Sequence, residues 1–309
     1  MKARILKPRL RRDIKSIADR ILEELGNPEP PLDLNDVCLL LELDSGYFTS
    51  ESEGLLRKTF SRMKRAGKQL LRRPTLLCDA IKKFDLRALY IPDQKRILVD
   101  DTIPKPKHRW LQAHEIGHSI LPWHQEMMLG DDELTPTVTV HSKMEAEANF
   151  AGGSLLFLGN RFAEECRDCD PSIKTVMALK KRYGNTLTTT LWRVIEHSGE
   201  ENPLIGMIGQ HPKSFHNEQS NFRHLILSPE FERKFPDPSL KKLEDEIKAY
   251  CWGNRGPLGN GEILLTDKNG TTHNFHFETF YNGYDALTLG VHQGEVPAIV
   301  SAFGGFGSP

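Results

Sequence analysis

A five-residue motif, His114-Glu115-Ile116-Gly117-His118, constrains this chain more than any other feature of its sequence. Residues four positions apart lie on the same face of an α-helix, so the imidazoles of His114 and His118 can reach one metal ion. Histidine nitrogens bind Zn²⁺ at about 2.0–2.1 Å. Glu115 can approach a water molecule at the metal without being a ligand. The motif therefore predicts a zinc-binding helix with Glu115 as the general base of a hydrolytic reaction.

The third protein ligand of this site has two candidates. The first is His124, which follows His118 at the spacing of the metzincin motif. That motif has glycine where this chain has Leu121, and Pro122 comes next. A residue before proline favours extended geometry rather than the positive φ that glycine offers, which weakens the case for His124.

The second candidate is Glu145, in the helical stretch SKMEAEANFAGGSLLF. Asn149 follows one turn later and could bind the free nitrogen of a ligand histidine, which would fix its tautomer. Glu147 lies about 200° around the helix from Glu145, so the two cannot both face the metal. Two histidines, one glutamate and an open fourth position make a hydrolytic zinc site. Helix geometry alone leaves equally open whether Glu145 is a ligand or an ordinary surface carboxylate.

Composition limits the classes of protein to which the chain can belong. Its 309 residues suggest two or three domains, and a net charge of −1 excludes a polycation built for nucleic acid. No apolar run approaches the roughly 18 residues of a membrane span. The five cysteines are an odd number and do not form a disulfide framework. We therefore expect a cytoplasmic protein without a membrane partner.

The pattern along the chain predicts an α+β fold in three parts. Residues 1–165 form a peptidase-like domain that carries a basic insertion at 51–87. Residues 166–212 form a helical segment like a helix-turn-helix unit, because two helices meet at a short Gly-Asn turn. Residues 213–309 form a small C-terminal α+β domain of unknown role, for which sensing is one hypothesis.

Shorter patterns predict individual elements. A proline stop predicts a helix from His108 to Ile120. The segments RALYIP and RILVDD predict a hairpin, and so do the alternating segments on either side of the turn DKNG. The sequence TVTV, at 137–140, predicts a short strand.

The residues AHEIGH, then EAEANFA, then SLLFLGNRF resemble the ImmA/IrrE-type metallopeptidases over roughly residues 11–197. The resemblance implies a zincin-like domain, with a small twisted sheet against the active-site helix. It implies His114 and His118 as zinc ligands, Glu145 as the third ligand and Glu115 as the catalytic glutamate. Several members of that family cleave a partner transcription factor, often a helix-turn-helix repressor.

These features predict a zinc metallopeptidase that cleaves a protein substrate, with a DNA-binding transcriptional regulator as the expected substrate class. The alternative is a non-catalytic regulatory protein with a structural or vestigial metal site. It would bind DNA or a protein partner through 57–73, which carries eight Lys or Arg and no acidic residue, or through 171–198. Salt-dependent binding to duplex DNA distinguishes the two hypotheses.

Overall fold

The computed structural model of the chain describes residues 6–48, 87–124, 138–199, 202–214, 221–235 and 238–297. The basic stretch 57–73, and all but the last residue of the predicted insertion 51–87, lie outside these ranges. The described residues form helices and two sheets, which confirms the α+β class. They divide into two compact units, one containing Leu6–Arg161 with Arg182–Asn185, the other Phe162–Lys181 with the described residues from Thr186 onward.

The first unit combines four helices with a three-stranded sheet in its described part. Its elements are α1 (Pro8–Glu24), α2 (Leu34–Leu40), β1 (Asp44–Phe48), β2 (Ala88–Ile91), β3 (Arg96–Asp100), α3 (Lys105–Ile120) and α4 (Val138–Leu156). The strand order is β1-β3-β2, with β1 parallel and β2 antiparallel to β3. The hairpin predicted from RALYIP and RILVDD is thus confirmed. Helix α3 packs on β2 and β3, so this small sheet supports the helix that carries the histidine motif.

Two glycines bring α3 and α4 into close contact. A Cβ atom at Gly117 of α3 would lie 2.5 Å from the carbonyl oxygen of Ala148 on α4. A Cβ atom at Gly152 of α4 would lie 2.5 Å from the carbonyl oxygen of Ala113 on α3. Real side chains do not tolerate either distance, so only glycine permits this crossing. The histidine motif and Glu145 lie on these two helices, and the crossing therefore sets the distance between them.

We predict that Gly152→Ala destabilises the protein, although alanine is the better helix former by about 1 kcal/mol. The added methyl group would push the two helices apart, at a cost of about 1–3 kcal/mol for overpacking. Chemical denaturation measures the change in the free energy of unfolding. Lys143→Ala, at an exposed position of the same helix, is the control and should change it little. A Gly152→Ala protein as stable as the wild type would contradict the close crossing.

The second unit is built on a five-stranded antiparallel sheet in the order β5-β4-β8-β7-β6. Its helices are α5 (Asn160–Arg167, which begins in the first unit), α6 (Ile173–Tyr183, which ends there), α7 (Leu187–Ser198), α8 (Pro229–Lys234) and α9 (Leu240–Tyr250). Its strands are β4 (Leu204–Gly209), β5 (Phe222–Leu227), β6 (Gly256–Thr266), β7 (Thr272–Tyr281) and β8 (Ala286–Glu295). The hairpin predicted around DKNG is confirmed as β6–β7.

Helices cover both faces of this sheet. Successive residues of strand β4 point to opposite faces, and each face meets a different helix. Ile205 and Met207 share a buried cluster with Leu243 of α9. Gly206, which points the other way, lies against Ile195 of α7. Hydrophobic side chains on both sides of one strand are typical of a sheet buried on both faces.

The remaining short patterns have mixed outcomes. The helix predicted from His108 to Ile120 is present but begins one turn earlier, at Lys105. The short strand predicted at TVTV is wrong, because α4 already begins at Val138. The β-branched residues there favour strands only weakly. The helix formed by the strongly helical sequence that follows therefore includes them.

Candidate metal centre

The two histidines of the motif and Glu145 meet at one point of the first unit. Each offers one ligand atom, and these three atoms lie within 4.8 Å of one another. The Nε2 atoms of His114 and His118 are 3.2 Å apart. Glu145 places Oε2 at 3.2 Å from His114 Nε2 and Oε1 at 3.5 Å from His118 Nε2. No other group of three such residues occurs in the part of the chain that the structure describes.

The separation of the two histidine nitrogens fits a tetrahedral metal site. Ligand atoms at about 2.0–2.1 Å from a tetrahedral ion are about 3.3–3.4 Å from one another. The two Nε2 atoms, 3.2 Å apart, lie close to that value, and each histidine has one oxygen of Glu145 within 3.5 Å. The side chain of Glu145 is 40% exposed, whereas those of His114 and His118 are 12% and 8% exposed. The group could therefore hold a metal ion, and solvent would reach that ion from the side of Glu145.

Asn149 lies behind His114, as the sequence predicts. Its Oδ1 is 3.0 Å from His114 Nδ1. An amide oxygen only accepts, so His114 Nδ1 carries the proton and Nε2 keeps a lone pair for a metal. Asn149 is therefore placed to fix the tautomer of this histidine.

His124 does not reach the position of a third ligand, because it lies behind His118. Its Nδ1 is 3.0 Å from His118 Nδ1, on the side of the ring opposite His118 Nε2. Leu121 ends α3 in an extended conformation, with φ −95° and ψ 106°, as expected before proline. The amide of His124 then donates to the carbonyl of Leu121 at 2.9 Å. This turn brings the imidazole back to His118, and of the two candidates only Glu145 joins the cluster.

Glu147 and Trp123 complete this arrangement, and the sequence reasoning missed their role. His124 Nε2 is 3.1 Å from Oε2 of Glu147, and the indole N–H of Trp123 donates to the same oxygen at 2.7 Å. The sequence showed only that Glu147 faces away from the metal. No signal in the sequence distinguished Glu147 from a surface carboxylate, because its burial is visible only in three dimensions.

Glu115 is buried beside the cluster and makes contact with strand β2. Only 7% of the residue is exposed, and this burial raises the pKa of its carboxyl group, although the charges of His114 and His118 and a hydrogen bond from the backbone N–H of Tyr90 oppose the shift. A carboxylate with a raised pKa is a better proton acceptor near neutral pH. Glu115 therefore has the environment expected of a general base.

In the absence of a metal ion, the contact between His114 and Glu145 favours a protonated imidazole and an ionised carboxylate. Burial alone would lower the pKa of His114, but the hydrogen bond to Glu145 and the charge of Glu115 outweigh it and raise that pKa. Burial would raise the pKa of Glu145, but hydrogen bonds from both histidines hold it well below its ordinary value. A metal ion would displace these protons, because its ligands must be deprotonated.

Tyr183, the two cysteines of Cys166-Arg-Asp-Cys169 and Asp267 are not members of this group. Tyr183 is fully buried, with its ring packed near that of Phe157, and is part of the core. Cys166 is buried and Cys169 exposed, both as free thiols. Asp267 accepts hydrogen bonds from two backbone amides of its own turn, as its predicted turn role requires.

Comparison with models of protein families and with curated proteins found no match. Among solved structures, the chain is similar to a Mycobacterium tuberculosis transcriptional regulator, with a TM-score of 0.51 and 13% sequence identity. The alignment covers 96% of this chain and 93% of that one. At this identity the likeness shows a shared fold. Within the described residues, no helix combines the length and apolar character needed to cross a membrane.

Proposed function

We propose that this protein is a zinc-dependent endopeptidase. The observation that carries the proposal is the group of His114, His118 and Glu145, which together could hold a metal ion, with Glu115 buried beside them. Two histidines and one carboxylate with an open position are the ligand set of hydrolytic zinc sites. The resemblance of AHEIGH and EAEANFA to the ImmA/IrrE-type metallopeptidases agrees with this assignment.

Each residue of the site would have a distinct role in peptide hydrolysis. When bound, Zn²⁺ would supply Lewis acidity for the scissile carbonyl and for water. His114, His118 and Glu145 would hold the ion, and Asn149 would keep His114 in the required tautomer. Glu115 would accept a proton from the attacking water molecule and transfer it to the departing amine.

Strand β2 supports a protein as the substrate. It pairs with β3 on one side, and no described strand pairs with its other side. The backbone N–H of Tyr90, in the middle of β2, bonds to the carboxylate of Glu115. An extended peptide that added to this side of the sheet would therefore run past the general base.

The proposed substrate class is a DNA-binding transcriptional regulator. The family resemblance implies partners of this kind. The structural neighbour is named as a transcriptional regulator, which fits a protein with a regulatory role but identifies no substrate.

The test combines metal analysis with proteolysis. The purified protein should contain or take up one equivalent of zinc, and it should cleave a helix-turn-helix regulator encoded beside it when the two are co-expressed. Removal of the metal by a chelator should abolish cleavage, and added zinc should restore it. A protein with no affinity for zinc, or cleavage that persists in the chelated protein, would exclude the proposal.

The alternative is a regulatory protein that binds DNA directly, and it is favoured by the likeness of the fold to that of a transcriptional regulator. The structure limits how this could occur. In a helix-turn-helix unit the second helix enters the major groove. Here the second helix, α7, has no exposed residue, and its Arg193 is buried and paired with Glu196. The exposed basic residues lie on the first helix instead; they are Lys174, Lys180, Lys181 and Arg182.

We expect that the intact protein shows little affinity for duplex DNA through α7. The measurement is fluorescence anisotropy with labelled duplex DNA at low and moderate salt. Tight binding that falls steeply with salt and is lost when Lys180 and Lys181 are replaced by glutamine would instead support direct DNA binding through α6.

A further inference from the structure

We infer that Glu147 acts through His124 to hold His118 in the one tautomer that can bind a metal. Glu147 and His124 are then positioning residues of the metal centre, and neither is a ligand. This inference rests on the metal site of the proposed function. It assigns a role to three residues, Glu147, His124 and Trp123, that take no direct part in the chemistry described above.

The hydrogen-bond contacts of these residues form one continuous series that begins at His118. It runs from His118 Nδ1 to His124 Nδ1 at 3.0 Å, and from His124 Nε2 to Glu147 Oε2 at 3.1 Å. Trp123 Nε1 closes it at 2.7 Å from the same glutamate oxygen. His124 is fully buried and Glu147 is 9% exposed, so water does not readily replace these contacts.

The positions of the protons in this series of contacts follow from its last members, Trp123 and Glu147. An indole N–H can only donate, so Oε2 of Glu147 accepts from Trp123, and the same carboxylate oxygen accepts from His124. His124 must therefore donate from Nε2. A neutral imidazole with a proton on Nε2 has a lone pair on Nδ1, so His118 donates to it from its own Nδ1.

The resulting tautomer of His118 is the one that can bind a metal ion. With its proton on Nδ1, His118 has a lone pair on Nε2, which faces His114 Nε2 and Glu145. The direction of the hydrogen bonds is set by Trp123 and Glu147, and it points a free lone pair at the cluster.

The two histidine ligands are therefore supported differently. Behind His114 stands the neutral amide of Asn149. Behind His118 stands a carboxylate, with His124 between them. Carboxylates behind a histidine ligand make it more basic and orient its ring. Loss of Glu147 would also leave the buried His124 Nε2 and the partly buried Trp123 Nε1 without their acceptor.

The test uses Glu147→Gln, which keeps the shape of the side chain but removes its charge and adds a donor. We expect the affinity for zinc to fall at least about tenfold, within the 10–100-fold range of such outer partners. Glu164→Gln, at an exposed helical glutamate, is the matched control and should bind zinc like the wild type. Competition with a chromophoric chelator measures the affinity.

Nitrogen-15 NMR of the histidine rings in the zinc-loaded wild type is the second readout, and it does not depend on how well a variant folds. We expect His124 to carry its proton on Nε2 and His118 to carry its proton on Nδ1. A merely structural role for Glu147 would lower thermal stability and leave zinc affinity unchanged.

The outcomes separate this inference from the proposed function. A proton on Nδ1 of His124, or a Glu147→Gln affinity within about threefold of wild type rather than the 10–100-fold expected, overturns the positioning role and leaves the peptidase intact. The expected tautomers and affinity loss without any cleavage of a regulator support the positioning role and remove the peptidase. A wild type that binds no zinc overturns both.

Discussion

Replacing Glu115 by glutamine is expected to lower the rate of substrate cleavage by about 10²–10⁴-fold, the usual contribution of general acid–base catalysis. Glutamine has the same shape but cannot accept a proton from the attacking water molecule. His114, His118 and Glu145 are untouched by the change, so the variant should bind zinc as the wild type does. The measurement is kcat/KM for cleavage of the regulator, with zinc content determined on the same samples.

The control for this experiment is Glu164→Gln, which removes an exposed helical carboxylate and should cleave at the wild-type rate. Burial raises the pKa of Glu115, so its replacement by a neutral amide removes a desolvated charge and should not unfold the protein. Full activity in a zinc-loaded Glu115→Gln protein would rule out Glu115 as the base.

The local part of the site could be predicted from sequence because its geometry is local. The four-residue spacing of His114 and His118 needs only a helix, and the proline after Leu121 determines where that helix ends. Gly117 could be recognised as a close-contact position, because a glycine inside a helix needs a reason to be there. The structure supplies the reason in the carbonyl oxygen of Ala148.

The non-local part could not be derived in the same way. Which carboxylate meets the two histidines depends on how α4 crosses α3, and that crossing depends on Gly152 as much as on Gly117. Helix periodicity placed Glu145 and Glu147 on different faces but could not say what each face meets. The turn after Leu121, which brings His124 behind His118, is likewise visible only in three dimensions.

Removal of Glu145 gives the second large effect, on metal binding. We expect Glu145→Ala to lower zinc affinity more than about 100-fold, since even residues behind the ligands change it by 10–100-fold. Two histidines alone leave the ion with only nitrogen ligands from one helix and no anionic charge. Isothermal titration with zinc, or competition with a chelator, measures the loss, and cleavage should disappear with it.

Lys143→Ala, two residues earlier on the same helix and exposed, controls for the loss of a side chain from α4. The apo form of Glu145→Ala offers a further check. His114 loses the hydrogen-bonded carboxylate that helps to hold a proton on it, so its pKa should fall. Metal-free His114 should then be neutral at a lower pH than in the wild type. Unchanged zinc affinity would mean that Glu145, although 3.2 Å from His114 Nε2, is not a ligand, and the three-residue centre would have to be abandoned.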